Sequence, residues 1–231
     1  MMSPASSNPP AFSLADRLGS LPYFRAMSPD RLAALARHAL CRHFAAQEMI
    51  LIQGEPTSGL WVVEEGRVKI FRLSPDGREH ILLLVGPGES FNDIPALDGG
   101  PNPANAVALS EVTAWTLPSD VLLAELRADP DLALVVIGIL SQRMRGLVQQ
   151  IEDLALYSVT ARLARFLLKQ MTDTSLSGPG VTRATIAAHL ATTPETVSRA
   201  LRTLEEIGAL RFDRQRIVIV REDLLHSVAM E

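Results

Sequence analysis

Four residues in the segment PETVSRALRTLEE, namely Glu195, Ser198, Arg199 and Arg202, fall at i, i+3, i+4 and i+7. That spacing lines up one face of an α-helix. The side chains suit base-pair edges in a DNA major groove. An arginine can donate two hydrogen bonds to guanine O6 and N7, and a carboxylate can accept from cytosine N4. An acid on a basic surface weakens attraction to phosphate, so Glu195, with Ser198 and Arg199, is assigned to reading bases and Arg202 to the phosphates. The opposite stripe, Val197, Ala200, Leu201 and Leu204, is apolar. Thr193 and Pro194 read as N-cap and first helical residue. Ahead of them Thr182 caps a shorter helix with Ile186, Ala187 and Leu190 facing inward. A tight turn at Ala191-Thr192, where glycine is more usual, joins the two. The spacing predicts a helix-turn-helix, which a merely solvated helical face would not require.

A second stretch poses a different question. Residues 88–109, GESFNDIPALDGGPNPANAVAL, contain no Arg, Lys or His, and the arginines nearest in sequence are Arg78 and Arg127. The runs around it (MILI, LWVVEE, RVKIFRL, HILLLV, VTAWTL) are short, β-prone and punctuated by Gly54, Gly59, Gly66, Gly77, Gly86 and Gly88. Such spacing predicts an antiparallel roll or sandwich from about residue 44 to 117, with SPDG at 74–77 as a hairpin turn. A pocket in that roll would offer an anion no charge. Burying a phosphate without a cation costs several kcal/mol, which backbone N–H groups offset only in part. The stretch therefore suits a neutral or cationic molecule, a flat apolar cofactor, or nothing.

The elements that must hold these two sites follow from pattern. Ser28 and Pro29 begin a helix over DRLAALARHAL, which places His38 on the helix and Cys41 near its end. Ser119 caps another. Pro130 opens a helix to about residue 156, in which Ile137, Leu140, Met144, Leu147, Ile151 and Leu154 are spaced three, four, three, four and three. That is a heptad seam and predicts a dimer interface. Gly138 and Gly146 weaken the helix in isolation and argue for a partner. TARLARFLLKQM is a helix, DTSLSGPG a loop, and two β-runs flank DRQR at 213–216.

Composition sets the outer limits. The 231 residues are 47% hydrophobic, a globular balance. No apolar run approaches the ~20 residues of a membrane span. MMSPASSNPPAF lacks the basic-then-apolar order of a secretory signal and reads as a disordered leader. Cys41 is the only cysteine, which excludes an internal disulfide and any multi-thiolate cluster within one chain; a reduced, cytoplasmic protein is expected. The net charge is −4. Residues 159–231 carry ten Lys/Arg against eight Asp/Glu and the remainder twelve against eighteen, so the C-terminal part is the more basic. No phosphate-binding loop, dinucleotide fingerprint or nucleophile pattern is present, and no enzymatic activity is expected.

From residue 20 to 225 the chain resembles the cyclic-AMP receptor/fumarate-nitrate regulator (Crp–Fnr) superfamily of bacterial transcription regulators. The likeness rests on the glycine-punctuated roll, the long helix and PETVSRALRTLEEIGAL. It implies an α+β fold: an N-terminal double-stranded β-helix (jelly-roll, cyclic-nucleotide-binding-like) domain, a dimerisation helix and a C-terminal winged helix-turn-helix. The corresponding bounds are a leader and first helix at 1–19, the roll at 20–129, the dimer helix and hinge at 130–158, and the DNA-binding domain at 159–231. The resemblance implies base contacts by Glu195 and Arg199, and phosphate contacts by Thr182, Arg183, Thr193 and Thr196. Glu-x-x-Ser-Arg is similar to the fumarate-nitrate and nitric-oxide-responsive branches, whose half-sites are of TTGA type. A homodimer, double-stranded DNA and RNA polymerase are the implied partners, with no membrane association.

The same resemblance places an effector pocket at Gly88, Glu89, Phe91, Asp93, Asn102, Pro103 and Met144. Cyclic-nucleotide members hold the ribose with a Gly-Glu pair and the phosphate with an Arg-Ser pair. This chain has Asp93 at the glutamate position and Asn102-Pro103 at the other, which disfavours cyclic AMP. An iron–sulfur cluster is excluded by the cysteine count. Haem is left open by His38, Cys41, His43 and His80, since one imidazole can hold a haem iron. No metal site is assigned, and the effector stays unidentified.

Overall fold

In the computed structural model the described residues are 11–172, 176, 181–213 and 217–230. Residues 1–10, 173–175, 177–180, 214–216 and 231 lie outside them, and with them the expected leader and most of the DTSLSGPG segment. The chain divides into two compact units, residues 1–69 with 85–144 and residues 70–84 with 145–231.

The first helices are α1 (Ala11–Ser20) and α2 (Pro29–Ala36). Ser28 caps α2, its hydroxyl accepting from the Arg31 N–H, with Pro29 in the first turn. The helix stops at Ala36, four residues earlier than its apolar spacing predicts. Leu40–Phe44 forms strand β1 instead, paired antiparallel with β8 (Val112–Leu117) from Leu40↔Thr116 to Phe44↔Val112. Tertiary pairing outweighs local helical preference here, so His38 lies beyond the helix and Cys41 on a strand rather than near a helix end.

The remaining strands of the roll are β2 (Met49–Leu51), β3 (Leu60–Glu65), β4 (Val68–Leu73), β5 (Glu79–Val85), β6 (Ser90–Phe91) and β7 (Asn105–Ala108). They form two four-stranded sheets, ordered β1-β8-β3-β6 and β2-β7-β4-β5. Between β3 and β4, Gly66 has φ +85°, and a Cβ there would stand 2.0 Å from the Glu111 carbonyl oxygen, so only glycine fits. Phe91 stacks on Trp61 with ring centroids 5.9 Å apart, and Phe44 is tilted against Trp61 with ring centroids 5.8 Å apart.

Helix α3 (Asp93–Asp98) follows β6, and α4 (Ser119–Ala128) follows β8. The N-cap of α4 is Pro118, not Ser119. Pairing between β3 and β8 extends to Leu60↔Leu117, so Pro118 is left to turn the chain. Ser119 falls inside the helix with its Oγ buried and unbonded. The long helix α5 spans Pro130–Leu156. Asp129 caps it, its Oδ1 accepting from the N–H groups of Asp131 and Leu132. Arg31 grips both Asp129 and Glu125, tying α2 to the α4–α5 junction. The core joins Leu14, Leu18, Phe24, Leu35, Trp115 and Leu117 to Leu132 and Val136 of α5, with Ile139 and Leu140 packed on it.

In the C-terminal unit α6 (Val159–Thr172), α7 (Arg183–His189) and α8 (Pro194–Glu206) precede strands β9 (Leu210–Phe212) and β10 (Ile217–Ile219), which pair antiparallel. A closing helix α9 (Glu222–Val228) adds an element that the sequence pattern did not reveal. Arg165 on α6 donates to Asp153 Oδ1 at 2.9 Å and to the Ala229 carbonyl at 2.7 Å. Its guanidinium also lies 3.7 Å from the Tyr157 ring centroid. One side chain thus binds the end of α5, the α5–α6 junction and the end of α9.

His189 closes α7, its ring 5.2 Å from that of Phe166 and its Nδ1 without a hydrogen-bond partner. Burial, with the nearby Lys169 and His80 charges, lowers its pKa to about 4. The unfolded imidazole titrates near its ordinary value of about 6.5, so between the two values the unfolded chain binds more protons and stability rises with pH. The stabilisation is therefore present above pH ~6.5 and lost as pH falls toward ~4, amounting to about 3 kcal/mol at most. Chemical denaturation from pH 7 to 4 should show this loss in the wild type and a flatter profile in His189→Gln.

Candidate nucleic-acid interface and effector pocket

The recognition face is built by caps. Thr182 accepts from the Thr185 N–H and Thr193 from the Thr196 N–H, each satisfying a donor that its helix cannot. Between the helices Ala191 adopts φ +50°, the left-handed turn that glycine usually supplies. Val197, Ala200, Leu201 and Leu204 are buried, which turns Glu195, Ser198, Arg199 and Arg202 outward, where together they line one shallow concavity.

The face is pre-arranged. Arg199 Nη2 donates to Thr196 Oγ1 at 3.1 Å, and the Ser198 hydroxyl donates back to the Pro194 carbonyl at 2.9 Å. The Glu195 carboxyl is held below the usual carboxylate range by its own backbone N–H and the Thr193 hydroxyl, with the Arg199 charge adding. Glu195 is thus an ionised acceptor one turn from the Arg199 donor. Arg183 lies apart from this set: it donates to the Asp213 carbonyl and lies 5.3 Å from the Phe212 ring centroid, against the β9 strand.

The sequence-predicted pocket residues do not converge. Phe91 belongs to the aromatic stack with Trp61. Glu89 accepts from the Gly86 N–H at 2.7 Å and so fixes a turn, while Gly88 donates its N–H to the Val63 carbonyl. Met144 is 66% exposed, and Pro103 is exposed. Asn102 is buried and committed internally: its Nδ2 donates to the Ile52 carbonyl, and its Oδ1 lies 3.2 Å from Asn92 Nδ2. Asn92 also reaches Thr57 Oγ1 and the Gly59 carbonyl.

Asp93 faces a charge that comes from far along the chain. Arg143 of α5 forms an ion pair with the buried Asp93 carboxylate. Its Nη2 lies 3.4 Å from Ser90 Oγ, and its guanidinium 5.8 Å from the Tyr23 ring centroid. Burial raises the Tyr23 phenol, against the Arg143 charge and the Ser90 hydroxyl. Sequence reasoning missed Arg143 because it searched the neighbourhood in sequence. The signal was there: Val136, Ile139, Leu140 and Arg143 are one helical stripe.

On α5 the predicted seam residues Ile137, Met144, Leu147, Ile151 and Leu154 are exposed, with Val148 beside them, whereas Leu140 is half-buried on its own core. Of the haem candidates, Cys41 and His43 are neighbours on β1, Sγ lying 3.9 Å from Nε2. His38 and His43 are exposed, and His43 Nδ1 bonds Thr113 Oγ1. His80 Nδ1 bonds the Ala188 carbonyl. Burial, with Glu64 adding, pushes the Cys41 thiol up, away from the thiolate that ligates iron. No group of three or more metal-ligating side chains occurs among the described residues.

A roll of two four-stranded sheets, a long helix and a winged helix-turn-helix define a DNA-binding transcription regulator. Residues 41–129 match the model of the cyclic nucleotide-binding domain, and residues 161–228 that of the Crp-like helix-turn-helix domain. The cyclic AMP receptor protein of Thermus thermophilus is 30% identical over 210 residues, 90% of this chain and 96% of that protein. The CRP-like cAMP-activated global transcriptional regulator of Mycobacterium tuberculosis is 28% identical over 203 residues, 85% of this chain and 91% of that protein. The solved structure of FixK2 from Bradyrhizobium japonicum superposes with a TM-score of 0.72 at 27% identity, covering 82% of this chain and 96% of the other. The chain belongs to the Crp/Fnr superfamily of transcription regulators.

The position expected to carry the phosphate's arginine offers Asn102, already bonded, and Pro103. The nearby Arg143 is already paired with a buried carboxylate.

Because the Thr193 cap holds both the start of α8 and the Glu195 carboxylate, Thr193→Ala should lower stability by about 1 kcal/mol. Thermal melting of the wild type and variant would measure it. Only Glu195 and its neighbours in the first turn should shift in the amide spectrum if the effect is local.

Proposed function

We propose that this chain acts as a homodimer that reads a palindromic TTGA-type site, with Glu195, Ser198 and Arg199 on base edges and Thr182, Arg183, Thr193, Thr196 and Arg202 on phosphates. The observation that carries the reading is the placing of acceptor and donor on α8: Glu195 and Arg199 lie one turn apart, both exposed, with Arg199 bonded to Thr196 Oγ1. An acid held ionised at a DNA-facing helix start repels phosphate and gains only by accepting from a base. A cytoplasmic location and a contact with RNA polymerase go with this reading. Cyclic AMP is not the effector that this reading favours, and the raised Cys41 thiol gives haem ligation no support.

The test compares binding to a TTGA-type palindrome and to scrambled DNA at two salt concentrations. Arg199→Ala should cost about 1–3 kcal/mol on the palindrome and relax preference at one base pair. Glu195→Ala should lose preference while affinity for scrambled DNA stays level or rises. Arg183→Ala should weaken both DNAs alike and reduce the salt slope by about one. An unchanged ratio between the two DNAs in Glu195→Ala would remove Glu195 from base reading.

The dimer rests on the exposed stripe of α5. Patches of this kind mark association surfaces, and heptad spacing suits a helix pair. Leu147→Glu should place like charges across the two-fold axis and give monomers by sedimentation, with loss of binding to the full palindrome. A dimeric Leu147→Glu protein would move the interface elsewhere.

A further inference from the structure

Glu195 and Arg199 stand at i and i+4 of α8, both exposed. An acid four residues ahead of a base is the spacing at which helical side chains pair. A pair closed in that way would neutralise both groups and hide each from the base edge it should meet. Arg199 takes another partner: its Nη2 donates to Thr196 Oγ1 at 3.1 Å, and it bears on Glu195 through its charge. Thr196 is half-buried beside the N-cap. Its Oγ1 lies 3.1 Å from Thr193 Oγ1, and its N–H donates to that same oxygen at 3.3 Å. The hydroxyl that holds Arg199 is therefore itself anchored at the start of the helix.

We propose that Thr196 is a positioning residue for base reading: its hydroxyl draws the Arg199 guanidinium off the Glu195 carboxylate and so leaves both side chains open to base pairs. The proposal rests on the reading of Glu195 and Arg199 as base readers and deepens it. A threonine hydroxyl carries one hydrogen and two acceptor sites. One acceptor site takes Arg199, and the contact with Thr193 can run in either sense. With Glu195 on a base and Thr193 as the donor, the Thr196 hydrogen is left for a DNA phosphate while Arg199 stays in place. A phosphate contact carries no sequence information by itself; here it is joined through one oxygen atom to the arginine that reads a base. Holding a long side chain before binding also lowers the cost of ordering it in the complex, a factor of roughly two to ten in affinity. Valine at this position has the shape of threonine, keeps the N–H that Thr193 caps, and lacks only the hydroxyl.

The experiment measures the affinity of the full-length protein for a TTGA-type palindrome and for the same palindrome with the G·C pair of each half-site changed to A·T. The preference is the ratio of the two affinities, which a partly misfolded preparation does not distort. Thr196→Val should lower the preference roughly two- to tenfold, and Thr196→Ser, which keeps the hydroxyl, should retain most of it. Added to Arg199→Ala, Thr196→Val should change the preference no further, since the group it positions is gone. A Thr196→Val protein that loses affinity for both DNAs alike, with its preference intact, would reduce Thr196 to a phosphate contact and overturn the proposal. So would a Thr196→Ser protein that behaves as Thr196→Val does, or a further loss of preference when Thr196→Val is added to Arg199→Ala. If Arg199→Ala alone leaves the preference unchanged, the base-reading assignment falls and this proposal falls with it. A loss in Arg199→Ala with none in Thr196→Val removes the positioning role alone.

Discussion

Helix α5 must present apolar side chains in two directions, and much of the chain answers to that demand. Toward its own core it offers Leu132, Val136, Ile139 and Leu140. In another direction Ile137, Met144, Leu147, Val148, Ile151 and Leu154 stand exposed. Covering a large aliphatic side chain is worth about 1.5–3 kcal/mol, so the exposed stripe is a standing cost that the proposed partner helix would relieve. The inward stripe ends in an ion pair, because Arg143 finds the buried Asp93 where the next aliphatic contact would fall. An ion pair in that place contributes less to net stability than apolar packing of the same volume, but it defines one geometry.

The DNA-facing helix shows the same economy of means. Two threonine caps, Thr182 and Thr193, satisfy helix termini. The second cap also takes part in orienting Glu195 and, through Thr196, Arg199. Groups that must meet base edges in a fixed register lose less freedom on binding when they are already held. The acid–base pair on α8 is therefore a feature of the folded chain before any DNA arrives.

How much of this the sequence disclosed depended on whether the determining contact was local. The caps, the Ala191 turn and the buried stripe of α8 all follow from spacing within a few residues, and each is found where the pattern puts it. The hairpin turn at Ser74–Gly77 is likewise local, with Gly77 donating to the Ser74 carbonyl. Long-range pairing was opaque. The helical spacing of DRLAALARHAL runs on past Ala36, yet Leu40–Phe44 is taken by β8 some seventy residues later. Ser119 resembles a cap until the extent of β8 is known. Arg143 lies on the inward stripe that the helical period defines, but the heptad seam drew attention to its neighbour Met144, and nothing in residues 88–109 announces a cation arriving from α5. Strand β6 is two residues long and α9 follows the β9–β10 hairpin without a side-chain cap, so neither carries a legible signal.

The Arg165 clamp has a practical side. Because its Nε bonds the Ala229 carbonyl while Nη1 holds Asp153, the last turn of the chain is mechanically part of the joint between α5 and α6. A fluorophore, affinity handle or fused domain placed behind Glu231 would begin two residues from that carbonyl. It would add drag to a joint more than sixty residues away in sequence. Labels for distance measurements on this protein therefore belong on the outward face of α9, where Glu222, Asp223 and His226 are exposed.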